Sequence, residues 1–241
     1  MLFLFKQKPI TYTAYVEEHL PGIAEYFPIV PSSSALPKWW KDVPSSAFNW
    51  DLFRSVTTVK GCSGIINTIK QGFIMPLWSD LAISYDVSNY KYDFANGVSK
   101  MGPHESSSAP GWMEDHHIMK IVSPWILHSS CNDTQVMMTE PHYRNTSRSQ
   151  LYFNPSGILT PMRGSMGTNI FMMLRKSNTS QNLSFKAGDP LVQFIPLTNR
   201  DVKLKVEVAS RKDYIKLYER AGYQYSHSNN GLRKLFNDKN K

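Results

Sequence analysis

The densest run of metal-capable side chains in the sequence is Glu114-Asp115-His116-His117. Two or three histidines and a carboxylate, held by the strands of a β-barrel, are the donor set of cupin-type iron or zinc sites. Successive side chains of a strand point to opposite faces, so His116 and His117 do not easily share one ion. Asp115 and His117 fall on one side and form the candidate metal pair. His104, His128 or His142 would have to complete the set. The competing reading is a polar loop entering a strand, with one histidine buried and hydrogen-bonded, and it is the simpler one. No cofactor is therefore expected, with iron or zinc as the alternative.

Other chemistries lack their motifs. Serine catalysis needs a nucleophile on a sharp elbow beside a base. The chain has no Gly-x-Ser-x-Gly, and Gly164-Ser165-Met166-Gly167 reads as a flexible turn. No glycine-rich phosphate loop occurs. Gly61-Cys62-Ser63-Gly64 precedes a helical pattern and offers at most a weak anion site at a helix N-terminus. The chain reads as a non-enzyme more than as an enzyme.

Nucleic-acid binding would need cations interleaved with exposed aromatics. Tyr214, Tyr218, Tyr223 and Tyr225 do lie among Lys212, Lys216, Arg220 and Arg233. Yet Tyr214, Leu217, Tyr218 and Ala221 share one helical stripe, which predicts that the two tyrosines pack the helix down. Lys212, Lys216 and Arg220 remain as partner-contact candidates on its polar face. Trp39 and Trp40 are the other candidates. Exposed tryptophans are costly, so this pair is also expected to clamp its segment onto the body. The aromatic load of the first 60 residues fits an interaction surface and a packed arm equally well.

The elements that would hold these residues are mostly strands. Residues 1–60 are cut by Pro9, Pro21, Pro28, Pro31, Pro37 and Pro44, which leaves no room for a long helix. Ile10–Val16 reads as a strand, and Leu36–Asp42 reads as the start of a short helix with Pro37 near N1. Gly61–Gln71 reads as a helix with Ile65, Ile66 and Ile69 on one face and Gly72 at its end. Phe73–Tyr85 is extended and buried, with Pro76 marking an edge or a bend. Tyr90–Phe94 is a half-exposed strand after a Val87-Ser88-Asn89 turn, and Gly97–Gly111 is a loop. Nine short strand patterns then recur at intervals of about ten residues, the rhythm of a sandwich or barrel. They run from His117–Val122 to Leu204–Val208, and the last has one charged face. Residues 211–221 form an amphipathic helix that Gly222 ends.

Composition narrows the class. Of 241 residues, 41% are hydrophobic and 19% charged, which supports a folded chain. The lone Cys62 and Cys131 share no ligand spacing and read as reduced, buried thiols. No apolar run approaches a membrane span, and Met1–Phe5 is too short for a secretory core, so no membrane contact and a cytosolic location are expected. The sequons at Asn132, Asn145, Asn178 and Asn182 then read as polar turns. Net charge is +8, and from Arg200 onward eleven basic residues face five acidic ones. That favours an acidic partner, whether protein or nucleic acid.

Gly61-Cys62-Ser63-Gly64-Ile65, followed by Gly72-Phe73-Ile74-Met75-Pro76-Leu77-Trp78-Ser79-Asp80, resembles a segment of uncharacterised proteins of tailed phages, especially marine T4-like ones. Their pattern reads roughly Cys-Pro-Gly-Ile, then Gly-Tyr-Ile-Ile-Pro-Trp-Asp. Pro37–Lys41, Pro124-Trp125-Ile126 and Ala187–Leu197 are similar to other family segments, in the same order. The chain departs where relatives carry Pro-Pro-Gly-Tyr-Ser and Val-Asp-Thr-Asp. Asn154-Pro155-Ser156-Gly157 and Arg163-Gly164-Ser165-Met166 stand there instead, so an acidic site in that stretch would be missing. The resemblance implies a viral origin and a β-rich fold, and supplies no catalytic residue.

The expectation is a mainly β chain: a sandwich, jelly-roll-like or barrel domain with a few short helices and a C-terminal amphipathic helix. It divides into a Pro- and aromatic-rich arm (1–60), a β-rich core (61–210) and a C-terminal helix with basic tail (211–241). The expected function is a non-enzymatic phage structural or interaction module, located in the host cytoplasm or in the virion. Its partners would be other phage structural proteins or a second copy of itself. The alternatives are a metal-dependent, oxygenase-type cupin-like enzyme, or a nucleotide- or nucleic-acid-binding protein of the infected cell.

Overall fold

The computed structural model of the protein describes residues 7–97, 99–103, 114–143, 150–161 and 163–221. The chain is mainly β, as its period-2 patterning requires. The first sheet runs β14 (Ser165–Gly167), β10 (Ile126–Ser129), β1 (Ile10–Glu17), β18 (Val202–Ala209). Strand β1 is central. Its Ile10, Tyr12, Ala14 and Val16 are fully buried on the inner face. It pairs antiparallel with β10 and parallel with β18, from Ile10↔Val202 to Glu17↔Ala209.

The second sheet runs β13 (Gly157–Leu159), β11 (Val136–Thr139), β17 (Pro190–Pro196), β5 (Phe73–Pro76), β2 (Val30–Pro31). Strands β5 and β17 are buried on both faces almost throughout, which is why their sequences run apolar instead of alternating. Pro76 does not lie on a sheet edge. It ends an interior strand opposite Pro190, where the register shifts before Val192. The third sheet runs β12 (Tyr152–Phe153), β15 (Ile170–Arg175), β9 (His116–Ile121), β8 (Met101–Pro103), and the fourth β16 (Gln181–Phe185), β6 (Leu81–Tyr85), β7 (Tyr90–Phe94). All four contribute to one core, with Tyr12, Leu127, Met75, Phe194, Met119, Met172, Ile83 and Phe185 among its members. Methionine is frequent there, and its flexible thioether fills the irregular gaps between non-parallel layers.

Among the described residues no sheet closes on itself, so the architecture is sandwich-like and the barrel alternative is set aside. Three further expectations change. Met101–Pro103 is a strand within the Gly97–Gly111 segment, whose residues 104–111 lie outside the described ones. Ser165-Met166-Gly167 is a strand too, because its backbone pairs with Ile126–His128. The cysteines are free but not buried: Cys62 is exposed and Cys131 partly exposed.

The helices are short: α1 (Pro21–Tyr26), α2 (Lys38–Asp42) and α3 (Ser63–Lys70). Pro37 caps α2 from outside instead of opening its first turn. Buried Gln193 of β17 donates to the carbonyls of Thr68 and Gln71 (2.8 and 2.9 Å), satisfying the end of α3. Gly72 follows at φ +72°, and a Cβ there would lie 1.8 Å from the carbonyl oxygen of Phe194. A helix over residues 211–221 buries Leu217 and Ala221, while Tyr218 of the expected stripe stays exposed. Tyr214 is half-buried, and its hydroxyl donates to the Pro124 carbonyl at 3.0 Å. Ser210 caps this helix, its Oγ accepting from the Asp213 N–H at 3.2 Å. Gly222 and the basic tail lie outside the described residues.

Candidate interaction surface

The most exposed apolar cluster is on a hairpin that none of the strand patterns marked. Strands β3 (Ser46–Asn49) and β4 (Arg54–Thr57) pair from Ser46↔Thr57 to Asn49↔Arg54. Trp50-Asp51-Leu52-Phe53 closes them. The Asn49 Oδ1 accepts the Leu52 N–H at 2.9 Å, so a side chain does the turning that glycine does in shorter hairpins. Phe53 takes φ +49°, a left-handed conformation that carries strain for a bulky residue. Strain of this kind persists where the surrounding structure holds it, and it clusters at functional positions.

Three rings stack edge to face at this tip. Centroids lie 4.9 Å apart for Phe48–Trp50, 6.0 Å for Phe48–Phe53 and 6.3 Å for Trp50–Phe53. The cluster satisfies itself geometrically yet faces water, with Trp50 75% and Phe53 79% exposed. Leu52 beside them is exposed as well. Covering such side chains with a partner is worth roughly 1.5–3 kcal/mol each.

The hairpin base is tied down. Thr58 Oγ1 donates to the Pro44 carbonyl at 2.6 Å, its N–H donates to Ser45 at 3.2 Å, and Lys60 Nζ reaches the Lys41 carbonyl at 3.2 Å. On α2 just before it, Trp40 is buried. Trp39 stays partly exposed and donates from Nε1 to the Tyr143 carbonyl at 2.6 Å. The two tryptophans meet edge to face at 5.7 Å. Trp39 and Trp40 thus anchor the segment, while Phe48, Trp50 and Phe53 remain exposed.

The metal candidates are placed otherwise. His117 Nε2 lies 2.7 Å from the Asp86 carbonyl oxygen, with the Tyr85 and Tyr90 rings against the imidazole. Asp115 is exposed, and its carbonyl accepts the Lys176 N–H at 2.8 Å. His128 stands in the first sheet beside Tyr15, and His142 lies against Gln193 of the second. His104 lies outside the described residues. Among the described residues no three His, Cys, Asp or Glu side chains gather as a metal group. Ser165 Oγ lies 3.4 Å from His128 Nδ1, but Ser165 is fully buried and out of reach of a substrate.

His128 and Glu140 have shifted titration. Burial holds the His128 imidazole below its usual pKa, and Arg220 adds to this. Burial pushes the Glu140 carboxyl up, against the opposing Asn154 N–H and His142. Lys216 and Arg220 line an open cleft with Tyr15, Glu207 and Asp213, so its charge is mixed. Lys212 is exposed on the same helix. No helix of the described residues is long and apolar enough to cross a membrane.

Comparison of the chain with protein-family models, curated proteins and solved structures finds no match in any of the three.

Proposed function

We propose that this chain is a non-enzymatic structural or interaction module of a tailed phage, a virion component that seats the β3–β4 tip in a neighbouring protein. The observation that carries this reading is the exposed Phe48–Trp50–Phe53 cluster on a base fixed by Thr58, Lys60 and the Trp39–Trp40 anchor. Aromatic side chains offer large contact area at low entropic cost, and they dominate the energetics of interfaces. The phage assignment rests on the resemblance of Gly61–Ile65, Gly72–Asp80 and Ala187–Leu197. Those last two segments are neighbours in space: β5 pairs with β17, and Leu77 exchanges backbone hydrogen bonds with Gly188 and Asp189 at 2.7 and 2.8 Å. The partner is another structural protein of the particle or a second copy of this chain, met first in the host cytoplasm.

The alternatives have less in their favour. For a metal site at Asp115 and His117, the His117 ring nitrogen already faces the Asp86 carbonyl. For nucleic acid, Lys212, Lys216 and Arg220 share their helix with Asp213 and Glu219.

The test is quantitative mass spectrometry of gradient-purified particles of the encoding phage. A fixed copy number in wild-type particles, lost when Trp50→Ser and Phe53→Ser are combined in a folded chain, supports the proposal. Absence of the chain from particles while it is abundant in infected cells overturns it.

A further inference from the structure

We propose that two copies of this chain pair through the outer edge of β18, antiparallel and in one register, with Val206 opposite Val206 of the second copy. Strand β18 is the terminal strand of the first sheet, and among the described residues no strand pairs with its outer side. It is eight residues long. Long open edges invite pairing, and proteins usually protect them with short strands, bulges or charge.

The backbone fixes which groups face out. Ile10 N–H donates to the Asp201 carbonyl at 2.8 Å and Glu18 N–H to the Ala209 carbonyl at 2.9 Å. In a parallel ladder alternate residues bond to the same neighbour, so the odd-numbered residues of β18 face β1. Val202, Leu204, Val206 and Val208 therefore turn their N–H and C=O groups outward. An added antiparallel strand must bond to these even-numbered residues, which leaves only registers that pair even with even.

Charge selects among them. Lys203, Lys205 and Glu207 are exposed on the outer face of the strand. With Leu204 opposite Leu204 of the second copy, Lys203 meets Lys205 twice. With Leu204 opposite Val206, Lys203 meets Glu207 twice but Lys205 meets Lys205. With Val206 opposite Val208, Glu207 meets Glu207. With Val206 opposite itself, Lys205 meets Glu207 twice and no like charges face each other. The Lys205–Glu207 pairs then occupy the non-hydrogen-bonded positions, where side chains approach closest. On the inner face the same register sets exposed Val208 against Leu204 of the second copy, which covers apolar surface of the core edge. Two lysines alone would only repel a second copy. Glu207 makes the edge self-complementary without a like-charge contact in this one register, joining two four-stranded sheets into a continuous one.

The experiment is sedimentation velocity of the full-length chain at concentrations up to about 200 µM, with Lys205→Glu, Glu207→Lys and the double exchange. The expected result is a dimer whose association weakens about tenfold in either single variant and returns to within about twofold in the double, since swapped charges restore both pairs. Both positions are exposed, and unchanged thermal unfolding will verify that each variant folds. A monomer at every concentration overturns the proposal, as does a dimer indifferent to the single exchanges or not restored by the double.

Discussion

Asp80 and Lys186 meet at 2.7 Å although 106 residues separate them in the chain. The Asp80 carboxylate also accepts the Ala187 N–H at 2.8 Å. It thereby ties the connection between β5 and β6 to the turn between β16 and β17. The Lys186 hydrogen bond, and after it the Ala187 N–H, hold this carboxyl below the usual aspartate pKa. A lowered folded-state pKa contributes stability above the unfolded value that is lost as pH falls through the folded one. Asp80→Asn will therefore unfold more easily than wild type at pH 7 and equally easily near pH 2. Chemical denaturation across that range checks this, and a pH-independent difference would refute it. Both side chains are largely solvated, so the effect will be small and salt-sensitive.

Gly72 and Gly97 both adopt left-handed backbone, at φ +72° and +66°. Only Gly72 is also crowded, by the Phe194 carbonyl, whereas a Cβ at Gly97 meets open space. Gly97→Ala will cost about 1 kcal/mol, the backbone strain alone. Gly72→Ala will cost about 4 kcal/mol or prevent folding, since β17 cannot move without breaking its pairing with β5. Denaturant midpoints of the two variants decide.

Trp40 and Trp50 will respond in opposite ways. Trp40→Ala empties a buried site and will destabilise the fold by about 3–5 kcal/mol. Trp50→Ser removes exposed surface and will leave stability within about 0.5 kcal/mol, while lowering incorporation into particles. Phe53→Gly, which relieves the positive φ, will hold or raise stability by up to about 1 kcal/mol and will also impair docking. Thermal unfolding read beside particle incorporation separates the two roles.

Glu140 and His128 bias the pH profile from opposite sides. The raised pKa of Glu140 means its share of stability is full below the unfolded carboxylate pKa and is lost as pH rises through the folded one. Glu140→Gln will therefore be more stable than wild type at pH 7, with the difference shrinking toward pH 4. The lowered pKa of His128 means its share is present above about pH 6.5 and is lost as pH falls through the folded value. His128→Asn will flatten that acid limb. Titrated melting curves for both variants test each sign.

Much of the secondary structure was legible from local pattern. Strands β1, β6, β7 and β18 alternate or are β-branched over five to eight residues, and Tyr214, Leu217 and Ala221 mark a helix by spacing. Such signals need only near neighbours in sequence, as does the cost of exposing a Trp-Trp pair, which foretold the anchoring role of Trp39 and Trp40. The aromatic richness of the first 60 residues was visible, but not that Phe48, Trp50 and Phe53 would share one exposed tip. The hairpin has a four-residue loop without glycine, and its turn is made by the Asn49 side chain. The tertiary structure alone decided the parallel pairing of β1 with β18, the strand status of Ser165–Gly167 and the capture of His117 by the Asp86 carbonyl. These depend on partners tens to nearly two hundred residues away. A chain acquires such contacts only when the whole core packs, because burial of many side chains together must offset the entropy of closing long loops.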